Sequence, residues 1–221
     1  MVTDERQEKL ERVARNRQAG FTVVIEDVFD PHNLGAVTRT CDAFGIQEVN
    51  VIFETHPEFN PKEVGKNSST ATNKWIDYRI HHSTQAGIQT LKDEGWLTVA
   101  TVIDETADSI FDADLTHPKI ALMFGNEKMG LSEQAMAMAD KRVTIPMVGI
   151  AQSMNISVSA ALFIYEVTRQ RRASGLDQYL KDDEDVQETL NYFQEMQEYF
   201  RKRNKKIRRD RALRRQQQDE E

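Results

Sequence analysis

Cysteine is nearly absent from this chain of 221 residues: Cys41 stands alone, so no intrachain disulfide can form and a reducing compartment is the simple expectation. Long apolar runs are missing as well. No stretch approaches the roughly 18 residues of a membrane span, and the start, Met-Val-Thr-Asp-Glu-Arg-Gln-Glu-Lys, is charged with no apolar signal-peptide core. A soluble, cytoplasmic protein without a membrane partner is expected. The phosphate-loop pattern Gly-x-x-x-x-Gly-Lys-Ser/Thr does not occur, and no Gly-x-Gly-x-x-Gly follows the first apolar run, so both nucleotide-binding readings fail. His32, His56, His81, His82 and His117 lack Cys or carboxylate partners at metal-site spacing, and no metal is expected.

What is present is enough for one buried core with appendages, and too little for two full domains. A hydrophobic fraction of 39% beside 29% charged residues marks a globular rather than a disordered chain. The charges are unevenly placed. Residues 201–215 carry about +9, which leaves −16 on the remainder of a chain whose formal total is −7. A polyanion would be repelled by that body unless it met a basic face or this tail.

Apolar runs alternate with helical patterns, which predicts a parallel sheet covered by helices. Strands are expected at 22–27, 48–53, 75–80, 97–103, 119–124 and 142–145, and helices at 34–44, 84–94, 131–139 and 155–172, with Gly45, Gly95 and Gly175 as helix stops. Ser153 and Asn155 are both candidate caps for the last of these helices. Two helical extensions flank the core. Residues 3–18 place Leu10, Val13 and Ala14 on one stripe, and 183–215 do the same with Val186, Leu190, Phe193, Met196, Phe200 and Ile207. Neither extension can bury its stripe alone. The resulting division is 1–20, 21–172 and 173–221.

Three islands carry candidate chemistry. Asp30-Pro-His-Asn33 turns from the first strand into a helix; Asn33 reads locally as a helix cap, while Arg39 falls among Ala36, Val37, Thr40 and Ala43, where a guanidinium would need an anion such as RNA phosphate. Leu122-Met-Phe-Gly-Asn-Glu-Lys-Met-Gly130 ends a strand in a glycine-containing loop, the usual ligand edge of a parallel sheet, although Glu127 also reads as a helix-terminal acid. Val143-Thr-Ile-Pro-Met-Val-Gly-Ile-Ala-Gln-Ser-Met-Asn155 joins a strand through a Pro-Gly loop to a helix rich in Ser and Ala. Close helix packing is the bland reading of that last island.

In order and spacing the three islands resemble the motifs of the SPOUT superfamily of RNA 2′-O-methyltransferases. The segment Arg15-Asn-Arg-Gln-Ala-Gly-Phe-Thr-Val-Val, the stretch Arg39-Thr-Cys-Asp-Ala-Phe-Gly45 and both extensions resemble its TrmH branch, whose members methylate guanosine 18 in the D-loop of tRNA. One position departs: Gly35 stands where some relatives have Ser. The resemblance implies an α/β fold, a parallel sheet whose C-terminal part forms a deep trefoil knot, an exception to the rule that chains avoid knots. It also implies S-adenosylmethionine as cofactor, bound near Thr101, Gly125, Ile145 and Met154, and a catalytic site of Asn33, Arg39, Glu127, Ser153 and Asn155. A homodimer paired through the 155–172 helix and a tRNA partner follow from the same resemblance.

The basic tail and the N-terminal helix supply candidate RNA contacts: Arg12, Arg15, Arg17, Arg201, Lys202, Arg203, Lys205, Lys206, Arg208 and Arg209, with Arg6 and Lys9 beside them. Two competing functions are methylation of another ribose, in ribosomal RNA or at the tRNA wobble position, and a noncatalytic tRNA-binding module. Retention of Asn33, Arg39, Glu127, Ser153 and Asn155 together argues against the latter.

Overall fold

Phe21-Thr-Val-Val-Ile-Glu26 is buried at every position, which a strand achieves only when both faces of its sheet are covered. This strand, β1 (Phe21–Glu26), lies near the middle of the sheet in the computed structural model, which describes residues 4–63, 72–176 and 183–219, with side chains to 210. The other strands are β2 (Glu48–Ile52), β3 (Asp77–His81), β4 (Leu97–Thr101), β5 (Asp108–Ser109), β6 (Ile120–Phe124) and β7 (Lys141–Thr144). All their pairings are parallel and the order is β3-β2-β1-β6-β4-β7-β5. The α/β expectation therefore holds. The chain belongs to two compact units, one holding residues 16–63 and 72–176, the other residues 4–15 and 183–219.

Odd and even residues of β1 face different cores. Phe21, Val23 and Ile25 join Leu34, Val37 and Cys41 of α2 (Pro31–Ala43) and Ala160, Phe163, Ile164 and Val167 of α5 (Ile156–Ala173). Val24 instead joins Ile88 and Leu91 of α3 (Thr84–Asp93) and Ala135 of α4 (Glu133–Met138). A one-residue slip would exchange the two faces. Burial of Asn50 is satisfied within the sheet, since its amide donates to Thr22 and Glu48 and its oxygen meets His81 Nε2 at 2.9 Å.

Several boundaries differ from the expected ones for local reasons. The helix expected from 34 starts at Pro31, because Asp30 caps it by accepting from His32 N and proline suits the first helical turn. The strand expected from 75 starts at Asp77, since Thr72–Trp75 is a 3-10 turn. Strand β5 is not foreseen by the pattern because two residues show no period. Gly45, Gly95 and Gly175 do follow helices with positive φ.

In the second unit α1 (Asp4–Arg15) packs against α6 (Asp183–Asp219), so the two extensions cover one another's apolar stripes. Ala14, Val186 and Phe193 are buried, and Arg15 bridges Glu11 and Asp183. Asp183, Glu184 and Asp185 occupy the first turn of α6, where carboxylates oppose the positive helix end. Lys181 and Asp182 of the same acidic run lie outside the described residues.

Candidate active site

Parallel strands all point the same way, so β1, β4, β6 and β7 deliver their following loops to one edge. That edge gathers all three islands. After β1 the chain passes Asp27 at φ 48, a left-handed conformation for a residue with a side chain. The strain is held by its own carboxylate, which accepts from the backbone N–H groups of Glu54, Thr55 and His56 and from the Thr55 hydroxyl. Burial pushes the Asp27 carboxyl up, yet these donors outweigh it and hold it below its usual range. Glu26, 3% exposed, accepts from Thr84 Oγ1, Ser132 N and Ser132 Oγ and so fixes the starts of α3 and α4.

Behind β6, Gly125 crosses its own loop. A Cβ there would meet Gly130 C and Leu131 N, both at 2.0 Å, so only glycine fits. Asn126 pairs with Gly130 backbone to backbone, its amide nitrogen donates to Asp27 O at 2.7 Å, and its oxygen accepts from Lys128 N at 2.8 Å. Sequence reasoning passes over Asn126 and Glu26. A polar residue at the end of a buried strand is the signal that could have found them.

Glu127 is the hub of the resulting network. Its Oε1 accepts from Asn33 Nδ2 at 2.8 Å and Asp30 N at 3.2 Å, and its Oε2 from Phe29 N at 3.0 Å. An ionised carboxylate only accepts, so Asn33 must turn its nitrogen to Glu127 and its oxygen away. That oxygen accepts from Asn155 Nδ2 at 3.2 Å, and Asn155 Oδ1 in turn caps α5 by accepting from Ser157 N at 2.8 Å. One carboxylate thus sets the direction of two amides. Partial burial raises the Glu127 carboxyl, but donation from Asn33 and from the Phe29 and Asp30 backbone outweighs it, and the group titrates below its usual range. A carboxylate so held is a poor general base and a good anchor. Asn33 does not cap α2, and Asn155, not Ser153, caps α5.

Beside this network lies a cavity of about 480 Å³. Thr101, Gly125, Ile145 and Met154, the expected cofactor positions, all line it, together with Glu127 and Ser153. Asp104, Lys128 and Met136 line it too, beyond the residues expected from the motifs. Thr101 Oγ1 donates to Met123 O at 2.8 Å, tying β4 to β6 at the rim. Asn33, Asn155 and Arg39 are not among the lining residues. Arg39 is exposed, outside the buried set Leu34, Gly35, Val37, Thr38 and Cys41, and about 9 Å further along α2 than Asn33. The expected crowding by apolar neighbours is absent, because helical spacing sets Arg39 on the side of α2 away from Leu34, Val37 and Cys41.

Arg17 is the clearest departure among the RNA candidates. It is 1% exposed, its Nη2 donates to Asp42 Oδ1 at 2.7 Å and its Nη1 to Asp42 O at 3.2 Å. Buried and ion-paired, its guanidinium is turned into the fold rather than to the surface where an RNA contact is expected. Arg171 is similarly internal, donating to the carbonyls of Ala19, His117 and Pro118. Arg12, Arg15, Arg201, Lys202, Lys205, Lys206, Arg208 and Arg209 are exposed and Arg203 is half-buried. Among the described residues no group of three or more His, Cys, Asp or Glu could hold a metal, and no helix is long and apolar enough to cross a membrane.

A glycine-bent strand end, an amide relay and a cavity of small-molecule size meet at one sheet edge, the ligand edge of a parallel α/β protein. Residues 20–165 match the SpoU rRNA Methylase family, and the chain belongs to it. A tRNA (guanosine(18)-2′-O)-methyltransferase of Thermus thermophilus is 40% identical over 176 residues, covering 79% of this chain and 87% of that protein. The crystal structure of the A. aeolicus TrmH/SpoU tRNA modifying enzyme superposes with a TM-score of 0.78 at 29% identity, over 88% of this chain and 98% of that one. The SpoU methyltransferase AviRb of Streptomyces viridochromogenes, solved in complex with the cofactor AdoMet, gives a TM-score of 0.59 at 28% identity over 72% and 61% of the two chains.

Proposed function

We propose that this chain transfers a methyl group from S-adenosylmethionine to the ribose 2′-hydroxyl of guanosine 18 in the D-loop of tRNA. The observation that carries the proposal is the relay from Glu127 through Asn33 to Asn155, which joins all three motifs beside a cavity of the size small-molecule sites have. Likeness to the Thermus thermophilus enzyme over most of both lengths selects the nucleotide. The lining suits the cofactor: Asp104 and Glu127 carboxylates oppose a sulfonium charge, Leu131, Met136, Ile145 and Phe163 offer apolar walls, and Thr101, Ser153 and Ser159 supply hydroxyls. When bound, the cofactor would supply an electrophilic methyl for the ribose 2′-oxygen, with the thioether leaving and the hydroxyl proton passing to solvent.

What the protein adds is alignment of those two atoms. Asn33 and Asn155, directed by Glu127, form an amide edge next to the cavity where a ribose can be oriented. A guanidinium offers donors and no acceptor, so Arg39 serves as a phosphate clamp rather than a base. Two features of the family complete the reading. A homodimer is supported by Val158, Leu162 and Tyr165, an exposed stripe on α5, and by Val148 and Ile150 in the loop before it. Such pairing would let Arg39 serve the partner's pocket. A trefoil knot is supported by the path after β7: from a strand beyond β4, the chain returns to place α5 on α2 and β6. Exposed cations of α1 and α6 then draw tRNA to a chain that is otherwise acidic.

Mapping 2′-O-methylation on bulk RNA from a strain deleted for this chain, against the wild type, tests the proposal. Loss confined to guanosine 18 of tRNA is expected. Loss at a ribosomal or wobble ribose would replace the assigned target, and an unchanged map would overturn the enzyme reading.

A further inference from the structure

Phe29 stands beside the relay with 58% of its surface exposed, although large aromatic side chains gain most from burial. Its backbone is pinned. The Phe29 N–H donates to Glu127 Oε2 at 3.0 Å, so its position is fixed by the carboxylate that orients Asn33. The His56 ring meets it edge-on, with centroids 5.8 Å apart and planes at 88°, and Lys128 Nζ sits 4.6 Å from its centroid. His56 is anchored too: its backbone N–H donates to Asp27 Oδ1 at 3.3 Å, and its Nδ1 lies 3.0 Å from Thr55 Oγ1. Lys128 also lines the cavity. Two rings and a cation therefore cluster beside the relay, and the cation also borders the cavity.

We infer that Phe29, with His56 at its edge and Lys128 beside it, is the platform on which an unstacked nucleobase of the RNA substrate rests while its ribose lies at Asn33. The inference rests on the methyl-transfer reading above and adds where the base goes. Nucleobases displaced from their own stacks settle on exposed aromatic faces, and a neighbouring lysine suits the anionic backbone that accompanies them. Phe29 acts here as a positioning residue.

The test compares Phe29→Leu, which keeps apolar bulk without a π face, with Phe29→Tyr, which keeps the face. Each is measured in single-turnover methyl transfer to an unmodified tRNA transcript, and in binding to a transcript carrying fluorescent 2-aminopurine at the target nucleotide. Phe29→Leu is expected to lose about tenfold to a hundredfold in single-turnover rate at subsaturating concentration, the range typical of base-stacking aromatics. It should also fail to quench the probe, with melting temperature and S-adenosylmethionine affinity unchanged. Phe29→Tyr should stay close to wild type in both assays. If wild type transfers methyl and Phe29→Leu matches it in rate and quenching, this inference alone falls. If the wild-type protein transfers no methyl to the transcript, the function proposed above falls and this inference with it.

Discussion

The sheet edge and the basic face of α6 handle polar groups in opposite ways. At the edge the relay has assigned partners: Glu127 takes three donors, Asn33 spends both ends of its amide, and Asn155 caps a helix with what remains. Along α6 the cations Arg201, Lys205, Lys206, Arg208 and Arg209 are exposed, and Lys202 meets Glu198, one turn away. Fixed partners give direction, which alignment of reacting atoms requires. Solvated charge gives attraction at a distance, which depends on salt and tolerates imprecision. Substitutions at the edge should therefore change rate at constant affinity, and substitutions on α6 should do the reverse.

The largest expected effect is Arg39→Ala, with methyl transfer falling about 10²–10³-fold, the scale seen when one charge-stabilising donor is removed from an active site. Exposure of Arg39 means no cavity opens, so melting should not move. Single-turnover assays at saturating cofactor decide it, and a near wild-type rate would remove Arg39 from the site. Arg17→Ala sharpens the contrast, since it removes an arginine that the sequence pattern groups with the RNA-binding cations. It leaves Asp42 without its buried partner and should cost about 3 kcal/mol of stability. Its tRNA affinity, measured on the folded fraction, should be unchanged. Loss of affinity at full stability would reverse the assignment.

Arg17 and Arg39 also show how far the sequence can be read. Both are visible as charges, but the burial of Arg17 is not legible, because it depends on Asp42, 25 residues away, whereas the exposure of Arg39 follows from helical spacing, which sets it away from Leu34, Val37 and Cys41. Asn33, Glu127 and Asn155 are legible as identities within spaced motifs. Their roles in the relay are not, since Asp30 takes the cap that local propensity assigns to Asn33. Alternating strand and helix patterns point to the parallel sheet, but the order in which β6 enters between β1 and β4 depends on non-local pairing. Two-residue β5 carries no signal at all.

Deleting residues 201–221 tests the other side of the comparison and should have a smaller effect than Arg39→Ala on the chemical step. The affinity for tRNA should fall, and the slope of log affinity against log salt should become shallower by about 0.7–0.9 for each phosphate that the shortened chain no longer neutralises. S-adenosylmethionine affinity should be unchanged, since the cavity belongs to the other unit. An unchanged salt slope would make the tail a solvated helix end.

The smallest effect should come from Glu127→Gln, and its sign is fixed by the hydrogen bonds. Asn33 Nδ2, Asp30 N and Phe29 N all donate to this carboxylate, whereas a glutamine offers one accepting oxygen and one donating nitrogen. One donor must lose its partner, at about 1 kcal/mol in a site this open to solvent. Because the folded carboxyl titrates below its unfolded value, the wild-type contribution is complete above the ordinary glutamate range and is lost as pH falls through the lowered folded value. The stability gap between wild type and Glu127→Gln should therefore be constant from neutral pH down to about 5 and close at lower pH. Melting curves across that range measure it, and the rate should fall further than stability does, since the amide of Asn33 loses its direction. A gap that widened on acidification would show that Glu127 is not held as a carboxylate, and the relay built on it would have to be redrawn.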